Sequence, residues 1–199
     1  MRRADRFAVA AVLSLFLAPV AGASTWDLDP AHTAVQFAVR HLMVSTVRGD
    51  FTKVTGTVKV DDADWTKSVI EATIQAESLN TRVAKRDEHL RGPDFFDVAK
   101  FPVITFKSKK IEKAGEGKFK VTGDLTLRGT TKEVVLDVDG PVTPRKDMQG
   151  TMRSGAQATA KVNRKDFGIV WNKMLDGGGL ALGDEVSVTI DVEATRTAE

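Results

Sequence analysis

Three histidines, His32, His41 and His89, are the side chains in this 199-residue sequence best suited to hold a metal or to move a proton. Local zinc sites space their ligands a few residues apart, whereas these three lie in separate segments, so no metal is expected from spacing and only convergence in the fold could create a site. Asp87 and His89 could do acid–base chemistry, but any Asp-x-His on a helix surface offers as much. Ser45, Ser68 and Ser154 stand outside any G-x-S-x-G elbow. Gly177-Gly178-Gly179 lacks the Lys-Ser/Thr that follows a phosphate loop and reads as a mobile connector. Cysteine is absent, which removes thiolate nucleophiles, iron–sulfur clusters and Cys-rich zinc sites. No catalytic constellation is visible, no cofactor is implied, and the chain does not read as an enzyme.

A different chemistry is suggested by a cluster of cations near aromatic residues. Arg40-His41 closes one apolar strand, and Arg82, Arg86 and His89 recur at spacings that fit one helix face. Such a face could hold an anionic or quinone head group; equally, it could be a solvated face paired internally through Asp87 and Glu88. Phe95, Phe96 and Phe101 should pin this segment to its neighbours or line an opening. The expected mouth of a site comprises Arg40, His41, Met43, Arg86, His89, Leu90, Phe95, Phe96 and Phe167.

The elements that must position these residues are strands. Apolar and polar residues alternate with period two around Val35–Val39, Val54–Val60, Ile70–Ala76, Ile104–Phe106, Phe119–Leu127, Val134–Val138, Ala156–Val162 and Val186–Val192. Gly115-Glu116-Gly117 and Arg128-Gly129-Thr130 fit tight hairpin loops, while Arg48-Gly49-Asp50 reads as a turn into the next strand. The pattern predicts an all-β fold, an eight-stranded antiparallel meander closed into a lipocalin-like barrel, with a two-sheet sandwich as the alternative. One break, Leu79 to Phe101, carries a short helix near residues 81–92, capped by Asn80 or Thr81, ended by Gly92-Pro93 and braced by an Asp87–Arg91 pair.

Several positions on the inward faces are small: Gly56, Ala72, Ala76, Gly123, Ala156, Ala158 and Ala160. Small inward residues leave a barrel hollow, although glycines can instead mark corners and bulges. The expected cavity wall comprises Phe37, Val39, Ala72, Ile74, Phe106, Leu125, Ala156, Ala158 and Ala160. Burying ten methylenes there yields roughly 8 kcal/mol at about 0.8 kcal/mol each, about micromolar binding before entropic costs.

The N-terminus reads as an export signal rather than as part of the fold. Arg2, Arg3 and Arg6 precede an apolar run from Phe7 to Val20 and the small residues Ala21-Gly22-Ala23. The run is short for a membrane anchor, the other reading. Cleavage near Ala23 would leave residues 24–199 as one periplasmic domain and remove three Arg and one Asp. The precursor's net charge of +2 then falls to zero, which gives no electrostatic case for nucleic-acid binding.

Taken in order, Trp26-Asp27-Leu28-Asp29-Pro30-Ala31-His32-Thr33, Val39-Arg40-His41-Leu42-Met43, Val47-Arg48-Gly49-Asp50-Phe51, Arg86-Asp87-Glu88-His89-Leu90-Arg91 and Asp94-Phe95-Phe96-Asp97 resemble the YceI-type family of bacterial periplasmic proteins. Gly123 to Lys132, Asn163-Arg164-Lys165-Asp166-Phe167-Gly168-Ile169 and Leu182-Gly183-Asp184-Glu185-Val186 continue the likeness, which spans nearly all of the chain after the signal. Where that family often has Ser after His-Leu-Arg, this chain has Gly92. The resemblance implies a lipocalin-like barrel whose apolar channel takes a polyisoprenoid or related long-chain lipid, polyprenyl or quinone-like, for carriage or storage. It is compatible with transient membrane contact and with a homodimer. The alternatives are an enzyme acting on an isoprenoid lipid at the barrel mouth and a ligand-free envelope-stress protein.

Overall fold

The computed structural model describes residues 22–197, and strand pairing begins at Ala23. The expected export signal lies, but for its last two residues, outside the described residues. Eleven of the twelve strand segments make eight strand lines. β1 (Ala23–Leu28) and β2 (Ala34–His41) form the first line, broken where Asp29 takes the Ala31 N–H on its carboxylate and the His32 N–H on its carbonyl. β3 (Ser45–Phe51) and β4 (Val54–Asp61) form the second, and β5 (Val69–Gln75), a 3₁₀ turn and β6 (Leu79–Asn80) the third. β7 (Val103–Gly115), β8 (Lys118–Leu127), β9 (Thr130–Asp139), β11 (Met152–Asn163) and β12 (Leu182–Arg196) are the remaining five. The two-residue β10 (Arg145–Lys146) pairs with β11 within the connection before it.

Each line pairs antiparallel with the next in sequence, and β11 and β12 pair along eleven rungs from Arg153↔Thr195 to Asn163↔Glu185. β12 also pairs β1 and β2, which closes the ring. Closure leaves none of the eight lines as a free edge, so the backbone groups of a cysteine-free chain are satisfied by their neighbours. The outcome is the expected eight-stranded barrel rather than a sandwich.

Alternate connections of such a meander fall at the same end. The β2–β3 hairpin, the segment from β6 to β7, the β8–β9 turn and the segment from β11 to β12 share one end. The β4–β5, β7–β8 and β9–β11 connections share the other. The first end holds the only described α-helix, α1 (Ala84–Arg91), and is called the helical end below.

Local chemistry explains most turns and corrects others. Leu127 pairs with Thr130 across Arg128 and Gly129, both at positive φ, as a two-residue hairpin of this twist requires. The helix is shorter than its pattern suggested, and Val83 caps it without a side-chain bond. Asn80 instead accepts the Arg82 N–H, and Thr81 donates its N–H and hydroxyl to the buried Asp87 carboxylate. Asp87 is thereby taken, so the expected Asp87–Arg91 pair does not form; Arg91 donates to the carbonyls of Glu77 and Leu79. Arg48-Gly49-Asp50 is not a turn but the end of β3. A side chain at Gly49 would sit 2.5 Å from the Phe37 ring and 2.8 Å from Thr81, so glycine serves close packing there. The triple glycine forms the turn of a small hairpin in which Met174 pairs with Leu180.

Buried residues gather towards the two ends. Val35, Phe51, Val54, Ala76, Leu79 and Ile104 form one cluster, against which Leu90, Phe96 and Val98 pack from the helical end. Trp26, Val60 and Ala194 form the other, joined by Trp65 and Met152. Between them the interior is not filled.

Candidate functional site

The barrel encloses a cavity of about 700 Å³, lined almost entirely by aliphatic and aromatic side chains. The volume falls within the usual range of small-molecule sites. The wall follows from strand parity: inward residues of each line meet the cavity while their neighbours face solvent. Ala156, Ala158 and Ala160 of β11 lie beside Val192, Ile190 and Val188 of β12, so three short side chains line one stretch of wall. Phe37, Val39, Ala72, Ile74, Phe106 and Leu125 complete the nine wall positions expected from sequence, and all nine line the cavity.

The other small residues do different work. Ala76 is fully buried in the core beneath the helix. A side chain at Gly123 would meet the Phe106 ring at 2.5 Å and the Lys107 carbonyl at 2.6 Å, and one at Gly56 would strike Leu28 and the β5 backbone. These glycines permit close approach rather than create volume, so the hollowness rests on the alanines.

At the helical end the lining includes His41, Arg86, His89, Leu90, Phe95 and Phe96 of the expected mouth. Three expected residues are placed elsewhere. Arg40 alternates with the lining residues Val39 and His41 and therefore points outward, donating to the Met43 carbonyl at 2.7 Å. Met43, at the tip of the β2–β3 hairpin, is 62% exposed. Phe167 is buried in the 3₁₀ turn Arg164–Phe167, which ends at Gly168 in the left-handed region. Arg82 lies before the helix at positive φ, so it does not share a helix face with Arg86 and His89.

The mouth also contains residues that alternation could not reveal. Trp171 stacks edge-on against His89 (ring centroids 5.3 Å apart) and tilts against Phe95 (5.2 Å), and it belongs to an irregular segment with no period. Phe96 packs edge-on to Phe51, and Phe101 lies over Gly129 of the β8–β9 turn, so the three phenylalanines do fasten the helical segment. Arg164, 5% exposed, donates to the carbonyls of Gly183, Ile169 and Trp171 and to the Asp184 carboxylate at 3.0 Å. Burial pulls its guanidinium below the ordinary value, against the opposing pull of Asp184. It is a fully engaged brace on the segment bearing Trp171.

Arg86 differs. Its Nε donates to the Thr81 hydroxyl at 2.7 Å and one terminal nitrogen to the Thr81 carbonyl at 2.8 Å. Both acceptors are neutral, so the bonds orient the guanidinium beside the cavity without cancelling its charge. His89 Nε2 lies 3.1 Å from Asp94. Together these groups can accept the polar end of an amphiphile while the cavity takes its tail.

The far end of the cavity is lined by Trp65 and Phe119, 6.4 Å apart, with Val142, Thr143 and Pro144. Near that end Asp29, His32 and Glu193 bring their ligand atoms within 4.8 Å of one another. Arg153 already bridges this group, 2.6 Å from Asp29 and 2.5 Å from Glu193, and its Nε lies 2.7 Å from Asp147. The cluster thus carries its own cation and is a staple between β11, β12 and the β1–β2 break. Bonds from His32, then Arg153, hold the Asp29 carboxyl far below its usual range, and Asp29 in turn raises His32. His41 and His89 lie on the helical side of the barrel, so the three histidines do not converge.

Comparison with known proteins gives the same frame. The model of the YceI-like domain family matches residues 26–194. The Staphylococcus aureus (strain MSSA476) "UPF0312 protein SAS2572" is 35% identical over 170 residues, 85% of this chain and 96% of that protein. Among solved structures, Burkholderia cenocepacia BcnA superposes with a TM-score of 0.72 at 25% identity, covering 84% of this chain and 99% of that one. A polyisoprenoid binding domain from Saccharophagus degradans shares the fold with a TM-score of 0.60 at 15% identity, over 86% and 98% of the two chains. With the family model matched over residues 26–194 and a relative 35% identical across 85% of its length, the chain belongs to the YceI-like domain family.

Proposed function

We propose that this protein holds a long-chain, isoprenoid-type amphiphile inside its barrel, for carriage or storage rather than for chemical conversion. The observation that carries this reading is the apolar cavity of about 700 Å³ reaching from the helical end to the Trp65–Phe119 end. Such a site favours a chain-like apolar ligand, because it offers burial along its length and few polar groups to fix a compact polar one. An isoprenoid chain suits a wall of Val, Ile, Leu and Ala, and a neighbour in fold bears the description of a polyisoprenoid binding domain.

In this reading the tail runs beside Ala156, Ala158 and Ala160, and the head group lies between Arg86 and His89. The apolar run before Ala23 directs export, and the protein works in the periplasm. The near-absence of polar groups along the wall leaves, among the described residues, no acid–base pair facing the middle of a bound chain, in keeping with binding rather than turnover.

Native mass spectrometry of protein purified from its own host, followed by organic extraction, tests the reading. The expected result is a mass above that of the chain, with an isoprenoid-type lipid in the extract. A bare chain mass with an empty extract would overturn it.

A further inference from the structure

We infer that the helical end of the barrel is a docking face for an anionic lipid bilayer, with the β2–β3 tip and the Met174–Leu180 hairpin entering the bilayer interface. The inference extends the lipid-binding reading, on which its purpose rests, to the surface through which a ligand would be exchanged.

The first observation is where large apolar side chains meet solvent. Leu42, Met43 and Val44 form the β2–β3 tip, with Met43 62% and Val44 78% exposed. Val170, Met174 and Leu180 lie on the segment between β11 and β12, with Met174 76% exposed. The two groups are joined, since the Leu42 N–H donates to the Ala181 carbonyl at 2.8 Å. Of the twelve large apolar side chains exposed among the described residues, eight lie at the helical end and three, Val69, Val142 and Met148, at the far end; an exposed apolar patch gathered at one end marks an interaction surface.

The second observation is continuity with the cavity. Exposed Leu42 follows the lining residue His41; exposed Val170 lies between the lining residues Ile169 and Trp171; exposed Leu180 precedes the lining residues Ala181 and Leu182. The patch is therefore the outer rim of the structure whose inner surface is the cavity. A partner seated on it faces the ligand's own compartment, which is the position required of a membrane that supplies or receives an apolar chain.

The third observation is charge. The connections at the helical end (residues 40–45, 80–103, 127–130 and 163–182) carry ten Lys and Arg against six Asp and Glu. Those at the far end (61–69, 115–118 and 139–152) carry four against six. Several lysines on the barrel wall are tied down across strands, as in Lys107–Glu71, Lys120–Asp137 and Lys161–Glu185. Arg40, Arg82, Lys85 and Lys173 form no ion pair among the described residues. Apolar tips set among unpaired cations fit the interface of an anionic bilayer, where head groups meet the charges and acyl chains receive the tips.

Flotation of the purified protein with vesicles tests the inference. Vesicles of equal parts phosphatidylglycerol and phosphatidylcholine are compared with phosphatidylcholine alone, alongside uptake of an apolar fluorescent dye by the delipidated protein without vesicles. The wild type should float with the anionic vesicles and be released by added salt. Val44→Asp and Met174→Asp should each lower the bound fraction about tenfold, in line with placing a charge among acyl chains. Met148→Asp, 98% exposed at the far end, should change nothing. All three sites are exposed enough to fold normally, and unchanged dye uptake confirms it.

Failure of the wild type to float at low salt overturns the docking face, as does equal loss in Met148→Asp. A dimer dissolved by Val44→Asp without vesicle binding overturns it too, because the patch then belongs to a second copy. Dye uptake without flotation leaves the lipid-binding reading standing, whereas flotation without dye uptake leaves the docking face and removes that reading.

Discussion

The two ends of the barrel use arginine in opposite ways. At the far end Arg153 meets the carboxylates of Asp29, Asp147 and Glu193, so its charge is cancelled and the β11–β12 seam is clamped. At the helical end Arg86, Arg91, Arg128 and Arg164 spend their donors chiefly on backbone carbonyls: those of Thr81, of Glu77 and Leu79, of Gly168 and Pro93, and of Gly183, Ile169 and Trp171. Of these four only Arg164 also meets a carboxylate among the described residues, that of Asp184, and carbonyls satisfy the geometry of a guanidinium without neutralising it. Irregular segments are rich in carbonyls that no ladder uses, so arginine can fasten loops and leave that end positive. One end is thus built as a closed seam and the other as a charged, braced opening.

The most disruptive way to break this comparison is Arg164→Met. The substitution keeps bulk but abandons three carbonyls and Asp184 in a buried position, and should cost about 3 kcal/mol, read as a lower urea midpoint at unchanged slope. A loss as small as that of a surface change would show that the brace is incidental. Arg128→Ala, which releases the β8–β9 turn from Gly168 and Pro93, should cost about 1 kcal/mol by the same measurement.

The far end should respond chiefly through pH. Bonds from His32, then Arg153, lower the Asp29 carboxyl, and Arg153 lowers Asp147. Their contribution is therefore present above the ordinary carboxylate value and lost as pH falls through the depressed one. Arg153→Ala should bring Asp147 back towards its ordinary range, and Asp29 only part of the way because His32 still holds it, and so flatten the acid limb of a stability–pH profile. His32 is raised by Asp29, so its contribution is complete below its ordinary value near 6.5 and fades as pH rises through the raised one. The smallest expected effect is thus a stability gap between wild type and His32→Gln that is present at pH 6 and closes on the alkaline side. A gap that widens with pH would contradict the assigned pairing.

The same division decided what could be read in the sequence. Period-two alternation has one physical cause, a strand with one face in and one out, and it located a segment in each of the eight lines and the faces on which Phe37, Ala72 and Ala158 lie. It missed β1, where a Pro30 break hides the continuation, and β3, where Arg48-Gly49-Asp50 has the composition of a turn. Gly49 is there for the Phe37 ring, a contact between strands that one strand's pattern cannot show. At the helical end no period governs the backbone, so the pattern does not mark Trp171 and Arg164, and Phe167 and Met43 do not join the lining it suggests for them. Helical spacing likewise put Arg82 with Arg86, but Asp87 accepting from Thr81 starts the helix two residues later. Glycine and alanine looked alike as small residues, and only the packing separated the crowded Gly123 from the alanines that leave space.

The central claim is that those alanines leave a hollow that a lipid fills. Ala158→Trp, compared with wild type in the delipidated protein, tests it most directly by titration with an apolar fluorescent probe, with thermal unfolding recorded on both. The account predicts at least tenfold weaker probe binding and an essentially unchanged melting temperature, because the indole occupies space that no side chain now holds. Probe affinity equal to wild type, or a collapse of stability of the kind that overfilling a packed core produces, would contradict it.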